Sequence, residues 1–539
     1  MLMLKFSKWF FWTFILLALI PVGLAAQSAS NFVYTNNDLA AGNSVSGFSL
    51  STDGAGTLTP IAGSPFLTGG LGSGGGSYSP TRIIIVKGAS NEFLYASNAG
   101  SNSVSGFTIE STPSPGALAS IGSPIATAGA NASGTNIPSG ISLAATPDGH
   151  YLYAGTTDGK ITIFSINSST GVLTMVGTSP TPADGPMYSM KVSPNGSYLV
   201  LPIYSPSSNS STPYGLDVFA IQTDGTLLPA FHSPFMFSTV PVTGVDINCA
   251  STLVFAGRAG PDIDVFNIDA KRGSLTESTG SPFSTSAASN QVVVLSPDDG
   301  TLYSSNQGNQ DSNSQYTVTA FSVDPTNGAL SSPITAGAGS SAFYTGGLAV
   351  GPLGSGLLYS GDTNAYVTSF GVGSGSTIQY DDSASTGQLS GMHSVAAYPP
   401  KTCAISLGLT ATLQITTQPL GFDLEASLGL DPTLVVDPLT QAVTIQIGTF
   451  SFDLPAGSFK TWNNGNNVGT YLFQGSVGTT RLKVQITSLG SNQFQISAVG
   501  SKDDLTSLAG SSVTVTVGIG DNSASTTVTP TLAAPIQIK

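Results

Sequence analysis

Few residues in this 539-residue chain carry the side-chain chemistry that catalysis usually requires. The three histidines, His150, His232 and His393, are scattered and belong to no HxH, HExxH or GxSxG motif. We interpret His150, which follows Asp148 in a predicted turn, as solvated, and His232 as structural. General acid–base catalysis needs titratable groups within reach of the substrate, so the sequence favours binding over hydrolysis.

The motifs that could bind a cation or a dinucleotide are weak. Asp262 and Asp264 lie two residues apart on one predicted strand and could contact a cation, but calcium requires more oxygen ligands than two. Gly70, Gly72 and Gly75 fit GxGxxG without the strand-to-helix context of a dinucleotide site, so we interpret them as linker. We assign no metal ligand, and the sequence identifies no cofactor.

Cys249 and Cys403 are the only cysteines. Export from the cytoplasm would allow them to form a disulfide. Their positions in the repeats described below do not obviously bring them together, and two cysteines without a CxxC pair make a poor zinc site. Whether they pair stays open at this point.

The N-terminus has the pattern of a signal peptide. Lys5 and Lys8 precede an apolar stretch over residues 9–20, and the small residues of GLAAQSA follow. We expect residues 1–26 to be removed by cleavage near Ala25 or Ala26; an uncleaved N-terminal anchor is the alternative. No later segment has about 20 continuous apolar residues, so we expect a secreted, periplasmic or cell-surface protein without a membrane span in its mature chain.

The composition excludes other classes of protein. Hydrophobic residues reach 40%, which is too many for a disordered polar chain. The formal net charge is −14 and no basic patch occurs, which argues against a nucleic acid as partner. Short apolar runs separated by Gly, Pro, Asn and Asp predict an all-β protein.

A repeat of about 50 residues organises the first three quarters of the chain. Its clearest strand occurs seven times: FVYTNN (32–37), FLYASN (93–98), YLYAGT (151–156), YLVLPI (198–203), LVFAGR (253–258), TLYSSN (301–306) and LLYSGD (357–362). Each copy precedes a second alternating strand, of which SVSGFSL (44–50) and KITIFSI (160–166) are examples. A third, weaker strand then begins after a glycine, as in GTLTPIAGSPF.

A fourth strand type ends in turns such as TPDG and SPNG, and its placement predicts how the repeats close. No copy precedes residue 32, and the seventh copy, MHSVAAYPPK, follows the last repeat at 392–401. We therefore expect residues 392–398 to complete the first sheet, beside the N-terminal strands. Four strands repeated seven times predict a seven-bladed β-propeller closed by N- and C-terminal strands, which leaves no exposed sheet edge at the closure.

These repeats also resemble a known family. FVYTNN with NSVSGFSL, and FLYASN with NSVSGFTI, look like the YVTN repeats of surface-layer-type propellers. The GxLTxxxGSPF and SPDG elements resemble the lactonase-like, 6-phosphogluconolactonase-type propellers. The resemblance covers residues 31–400 and implies the fold strongly and an activity only weakly, because the matching residues are structural. No catalytic residue set of that family maps onto this sequence.

The repeat stops near residue 402, and the remainder alternates as short strands do. AVTIQIGTFSFDLPAGSF (442–459), RLKVQITSL (481–489) and SVTVTVGIG (512–520) predict a small C-terminal β-sandwich. The predicted domains are a signal peptide at 1–26, a propeller at 31–401 and a sandwich at 431–539. Residues 402–430 are either linker or the first sandwich strands.

Loop length suggests which face of the propeller carries function. Inner-to-second turns are short, whereas the long loops all fall on the opposite face, where a rigid scaffold usually displays functional residues. These long loops are 67–81, 122–139, 204–214, 307–316 and 335–345. The alternative is that they are tolerated low-complexity insertions.

The inner strands supply polar candidates for a ligand site at the mouth of the central channel. These residues are Arg82, Tyr188, Lys191, Asp246, Gln291 and His393. The alternative is that they form hydrogen bonds around the channel or line it with water.

We therefore expect a monomeric exported propeller that acts as a binding or scaffold module through its long-loop face. A protein or a carbohydrate-like ligand would be its partner. Whether the chain is an enzyme stays open: the alternative function is a lactonase-like hydrolase with its site at the channel mouth.

Overall fold

The computed structural model describes most of the chain after residue 30. It covers residues 31–533 apart from 52–55, 75–79, 132–139, 180–188, 205–212, 285–289, 307–316, 325–326, 338–344, 353–354, 363–364, 374–377, 389–393, 402, 404–407, 418–419, 431–435, 463–468, 491–492, 502–504 and 521. The predicted signal peptide lies outside the described residues. Within them the chain is all-β, with one short 3-10 helix at Thr506–Leu508 and no α-helix.

Antiparallel sheets follow one another along the repeats, each with its strands in sequential order. The first three sheets contain β1 (Phe32–Asn36), β2 (Ser44–Leu50), β3 (Leu58–Pro60) and β4 (Phe66–Leu67); β5 (Ile83–Lys87), β6 (Glu92–Asn98), β7 (Ser103–Ile109), β8 (Leu118–Ser120) and β9 (Ile125–Ala126); and β10 (Ser142–Ala145), β11 (Tyr151–Gly155), β12 (Ile161–Ile166) and β13 (Leu173–Thr178). The outermost strand divides into two short strands in the first two of them, because β3 and β4 both pair with β2, and β8 and β9 with β7.

Four more sheets repeat the arrangement. They contain β14 (Lys191–Val192), β15 (Tyr198–Tyr204), β16 (Tyr214–Ile221), β17 (Leu227–Pro229) and β18 (Phe235–Ser238); β19 (Val242–Ile247), β20 (Leu253–Arg258), β21 (Asp262–Ile268), β22 (Leu275–Glu277) and β23 (Phe283–Ser284); β24 (Asn290–Leu295), β25 (Thr301–Asn306), β26 (Thr317–Val323) and β27 (Leu330–Gly337); and β28 (Thr345–Val350), β29 (Leu357–Asp362), β30 (Tyr366–Val372) and β31 (Ile378–Ser385). In the last of these sheets β31 pairs with β30 from Tyr366 opposite Ser385 to Val372 opposite Ile378.

The strand after the last repeat joins the first sheet. β32 (Ser394–Tyr398) pairs antiparallel with β1, from Phe32 opposite Tyr398 to Asn36 opposite Ser394. The first strands of the other six sheets contact one another in the order β5, β10, β14, β19, β24 and β28, and β32 contacts both β28 and β5. The expected pairing of this segment with the N-terminal strands is therefore observed for residues 394–398.

Tyrosine hydroxyl groups join neighbouring sheets, which explains why an aromatic residue recurs in the clearest strand of the repeat. Tyr34 on β1 donates a hydrogen bond to the carbonyl of Gly116, 2.7 Å away in the second sheet. Tyr95 on β6 donates in the same way to Gly171 of the third sheet, also at 2.7 Å. Both tyrosines are fully buried, and an unpaired buried hydroxyl would cost stability. The repeated aromatic residue therefore fixes one sheet against the next.

The two ends of each inner strand define two faces, which we name by their connections. The short-turn face lies where β10, β19, β24 and β32 end, and includes the SPDG-type turns. Gly149 closes one of these turns with φ 71°, and a Cβ there would lie 2.1 Å from the carbonyl oxygen of Lys87. Glycine is therefore required at this position. The long-loop face lies at the opposite end, where the inner strands begin.

The C-terminal residues form two further sheets. Seven strands, β33 (Gly408–Thr417), β34 (Leu420–Gly429), β37 (Lys460–Thr461), β38 (Thr470–Val477), β39 (Thr480–Gly490), β40 (Gln493–Ser501) and β43 (Thr531–Ala533), make one sheet; β35 (Val443–Ile447), β36 (Phe450–Leu454), β41 (Val513–Ile519) and β42 (Asn522–Val528) make the other.

These two sheets share one hydrophobic core. Leu424 and Val484 of the larger sheet and Ile445 and Val515 of the smaller belong to the same buried cluster. The described parts of residues 402–430 are mostly strand, and β33 and β34 belong to the larger sheet. The described part of the chain contains no helix long and apolar enough to cross a membrane.

Candidate functional site

A cavity of about 300 Å³ lies among the inner strands, and its walls are mostly aliphatic. Ile83, Leu143, Val192, Val293 and Val350 contribute to the lining from five different sheets. Alternating strands that pack around a common centre supply such side chains from every sheet. The cavity is therefore a mainly apolar channel, and the few polar side chains that line it are the candidates for a functional site.

A buried carboxylate between two lysines forms the charged end of this channel. The Asp246 side chain is almost completely inaccessible and lies 2.8 Å from Lys191 Nζ and 3.4 Å from Lys401 Nζ. The backbone N–H of Leu295 on β24 donates to the second carboxylate oxygen at 2.8 Å. All three charged residues line the cavity. Since Asp246 and Leu295 lie close to the ends of their strands, this end of the channel belongs to the short-turn face.

The charges in this group stabilise one another. Burial alone would raise the pKa of Asp246, but the ammonium groups of Lys191 and Lys401 and the Leu295 N–H hold that pKa well below its usual range. Burial lowers the pKa of Lys401, an effect that the neighbouring Asp246 opposes. Asp246 is therefore a permanent anion whose lone pairs are occupied, and it is unsuited to accept a proton from a substrate.

The chain leaves the first sheet across this end of the channel. We name residues 399–401 and 403 the exit segment; they follow β32, and Pro400 and Lys401 line the cavity. Cys403 is bonded to Cys249, which lies just after β19 in the fifth sheet. The disulfide and the Lys401–Asp246 ion pair therefore hold the exit segment against the fifth sheet. The sequence pattern gave no indication of this pairing, because only the path across the channel brings the two cysteines together.

A second carboxylate lies beside the disulfide. Asp299, in the turn after β24, accepts a hydrogen bond at 2.7 Å from the backbone N–H of Cys249. Its other oxygen, Oδ1, is buried and has no hydrogen-bond partner among the residues that the structure describes. Burial raises the pKa of Asp299 to about 6, although Lys401 acts in the opposite direction. This carboxyl is the group at the channel end whose proton affinity best suits chemistry near neutral pH.

Arg82 lies at the opposite end of the inner strands. It precedes β5, is completely buried, and forms an ion pair at 2.7 Å with the buried carboxylate of Asp38, which follows β1. Asp38 also accepts a hydrogen bond from the backbone N–H of Ser73 at 2.8 Å. The Ser394 hydroxyl accepts the N–H of Arg82 at 3.0 Å. These contacts make Arg82 a link between the first and second sheets at the long-loop face.

The six predicted ligand-binding residues therefore do not form one group in the structure. Lys191 and Asp246 meet at the short-turn end, whereas Arg82 lies at the long-loop end. Tyr188 and His393 lie outside the described residues. Gln291 lies on β24, and its side chain is outside the described part of the structure.

Most of the predicted long loops also fall outside the described residues. The first of them is described up to Gly74, and it packs closely on the chain beneath: a Cβ at Gly72 would lie 2.1 Å from the backbone carbon of Asp38. Gly70 and Gly72 thus serve close packing, and Gly75 lies outside the described residues. Leu67 and Leu71 in this loop are exposed, at 74% and 44%.

Two further sequence expectations have structural outcomes. Asp262 and Asp264 were candidates for contact with a cation, but both pair with Arg258, whose Nε lies 2.5 Å from Asp264. His150 is exposed and lies 3.0 Å from Asp148, as expected of a solvated turn residue. His232 has φ 63° and its ring stacks on Phe231. Among the described residues, no group of three or more His, Cys, Asp or Glu could hold a metal ion.

Sequence reasoning missed Asp38, Asp299 and Lys401. Asp299 is the second aspartate of the PDDG turn, a position that looks solvent-exposed in the repeat pattern. Lys401 follows two prolines at the end of the last repeat, and its role depends on the route of the exit segment. Of these three residues, only Lys401 could have been found from the sequence, because the predicted closure places residue 398 beside the channel and Lys401 follows it closely.

Comparison with known proteins gives a family match over part of the chain. Residues 85–227 match the family described as "Lactonase, 7-bladed beta-propeller". This match confirms the resemblance to lactonase-like propellers that the repeats predicted. No curated protein matches the sequence.

Solved structures with some similarity include propellers of different kinds. A proposed 6-phosphogluconolactonase from Bacteroides uniformis is 14% identical, with a TM-score of 0.48, over 69% of this chain and 100% of that one. Sqt1 from Chaetomium thermophilum, bound to the N-terminus of the ribosomal protein L10, is 12% identical, with a TM-score of 0.37, over 79% and 98%. The Cps50 (Swd1) β-propeller domain of Myceliophteria thermophila is 12% identical, with a TM-score of 0.37, over 57% and 86%. At these levels of similarity the three structures support no assignment of activity.

Proposed function

Since residues 85–227 carry a lactonase-like propeller match, we propose that this chain is an exported propeller that binds a partner through its long-loop face. In this proposal residues 31–401 form seven blades closed by β1 and β32, and the contacts of β32 with both β28 and β5 support the closure. The two C-terminal sheets form a β-sandwich that acts as a spacer or attachment module. Residues 1–26 are a signal peptide, and the mature protein is a secreted, periplasmic or cell-surface monomer.

One observation carries the preference for binding over catalysis. The charged side chains that line the channel are engaged with each other: Asp246 accepts from Lys191, Lys401 and the Leu295 N–H. A carboxylate with occupied lone pairs between two cations neither takes up a proton near neutral pH nor acts as a nucleophile. The surrounding walls are aliphatic.

The described part of the long-loop face offers an apolar contact. Leu67 and Leu71 are exposed there, on a loop held by hydrogen bonds to Asn43 and Asp38. Exposed apolar side chains on a rigid support favour a protein or a carbohydrate-like partner.

The test uses the mature chain on arrays of glycans and peptides. Leu67→Ser/Leu71→Ser should weaken binding of the ligand that the wild-type protein selects. Leu228→Ser/Phe231→Ser is the matched control, because these residues are similarly exposed in the fourth sheet, away from the long loops. Equal loss in both variants, or no selective ligand at all, would refute the assignment to this face.

The alternative function is a lactonase-like hydrolase at the channel mouth. Asp299 favours it, since a carboxyl with a pKa of about 6 and a buried oxygen without a partner resembles a general base. The test is hydrolysis of γ- and δ-lactones, including 6-phosphogluconolactone, with and without a chelator. We expect no rate above the uncatalysed reaction. Hydrolysis that is lost in Asp299→Asn would instead establish the enzyme.

A further inference from the structure

The channel combines aliphatic walls with ammonium groups at one end, and no described side chain fills it. Its volume of about 300 Å³ is the space that about ten water molecules occupy in the liquid, or a ligand with a similar number of heavy atoms. Cavities of this size and polarity are the usual sites for small molecules. A ligand that fits should be largely apolar along its length, because the lining of the cavity is more apolar than polar.

The ammonium of Lys191 is the group that can recognise the polar end of such a ligand. It has three donor hydrogens and makes one 2.8 Å contact with Asp246, and the side chain remains 39% exposed. Asp246 already accepts from Lys191, Lys401 and backbone N–H groups, so it has no lone pair for another donor. The charged residues that line the cavity are two lysines and one aspartate, so the lining offers a ligand hydrogen-bond donors and a net positive charge. Asp299 lies beside the disulfide, where it accepts from the Cys249 N–H, and is not part of this lining.

The exit segment gives this end of the channel a fixed floor. Pro400 and Lys401 line the cavity, and the Cys249–Cys403 bond holds the segment just beyond them. A floor fixed in this way keeps the Lys401 ammonium next to Asp246, which Lys191 also contacts. Preorganised donors lose little entropy when a ligand binds.

From these contacts we infer that the channel is a binding site for a small aliphatic anion, whose carboxylate contacts Lys191 and whose hydrocarbon chain lies along the aliphatic walls. A charge-assisted hydrogen bond fixes the carboxylate, and burial of the chain contributes in proportion to its apolar surface. An alkylammonium ion of the same length is excluded, because its charge would face the two lysines. This site is separate from the long-loop face, so the proposed partner binding and this inference can fail independently.

The experiment is isothermal titration calorimetry of the mature chain with octanoate, octanol and octylammonium. Octanoate should bind saturably with one site per chain, octanol at least about tenfold more weakly, and octylammonium not at all. Lys191→Met keeps the apolar stem and removes the charge, and it should weaken octanoate binding about tenfold or more. Lys160→Met, at an exposed lysine of the third sheet, is the matched control and should bind as the wild type does.

A second variant keeps the inference testable if Lys191→Met does not fold. Ala349→Leu adds three carbon atoms at the channel wall and leaves both lysines in place, so it should abolish octanoate binding. Circular dichroism establishes that each variant is folded. The inference is overturned if octanoate does not saturate, if octylammonium binds as tightly as octanoate, or if a folded Ala349→Leu binds like the wild type. Absence of saturable octanoate binding would mean that the channel holds only water, and equal binding of octylammonium would mean that Lys191 does not select an anion.

Discussion

Loss of the Cys249–Cys403 disulfide should destabilise the propeller sheets without affecting the C-terminal sheets. The two cysteines are 154 residues apart in sequence. In the chain-entropy model a closed loop of this length stabilises the folded state by about 5 kcal/mol, because it restricts the unfolded chain. Native-state strain and residual structure usually reduce this value, so we expect a loss of about 3 to 5 kcal/mol in Cys249→Ala/Cys403→Ala.

The tryptophan content of the mature chain gives this prediction an internal control. Trp9 and Trp12 belong to the predicted signal peptide, so Trp462 alone remains, and it lies in the C-terminal sheets with Lys483 over its ring. The assay is guanidinium unfolding followed by far-UV circular dichroism for the whole chain and by Trp462 fluorescence for the C-terminal sheets. The larger circular dichroism transition should move to lower denaturant in the double variant, and the fluorescence transition should stay in place.

Two results would refute this reasoning. A shift in the free energy of unfolding below about 1 kcal/mol would mean that the disulfide does not close the long loop in the folded protein. An equal shift in the Trp462 transition would mean that the exit segment supports the C-terminal sheets rather than the propeller sheets. A reducing agent added to the wild-type protein should reproduce the effect of the double variant.

Three further predictions test the groups around the channel and between the sheets. Burial raises the pKa of Asp299 from 3.8 to about 6, so ionisation of this carboxyl destabilises the folded state as pH rises through that range. Asp299→Asn should therefore gain about 3 kcal/mol in unfolding free energy at pH 8 and little at pH 4, measured by denaturant titration at both values. Arg82→Met should cost about 3 to 5 kcal/mol by leaving Asp38 buried and unpaired, and Asp38→Asn in the same chain should recover part of that loss in a double-mutant cycle. Tyr95→Phe should lower the unfolding free energy by about 1 to 2 kcal/mol, since the buried Gly171 carbonyl loses its donor, and an unchanged midpoint would contradict the proposed link between sheets.

The sequence predicted the strand order well because the fold is built from local repeats. Period-two alternation and glycine turns specify each strand and its neighbour, so β5 to β8 could be read from a single copy of the repeat. The closure could be predicted for a different reason: one strand type had no copy before residue 32, and its seventh copy followed residue 385. The observed pairing of β1 with β32 agrees with that count.

The candidate site was harder to predict, because it depends on contacts between distant parts of the chain. Lys191 and Asp246 were identified from their place on inner strands, but their ion pair requires the fourth and fifth sheets to be neighbours. Lys401 and the disulfide depend on the direction in which the chain leaves β32, which no periodic pattern encodes. Arg82 looked similar to Lys191 in sequence, and only the position of Asp38 shows that it serves packing at the other face.

The central claim is that the first and last strands of the repeat region share one sheet, and cross-linking tests it most directly. Val33 lies opposite Ala397 in the register of β1 and β32, so cysteines at these two positions should form a cross-link on mild oxidation, detected by peptide mass spectrometry. The control pair, at positions 33 and 396, places its two side chains on opposite faces of the sheet and should not cross-link. A folded protein that forms no 33–397 cross-link, or that forms both equally, would contradict the closure and the channel built on it.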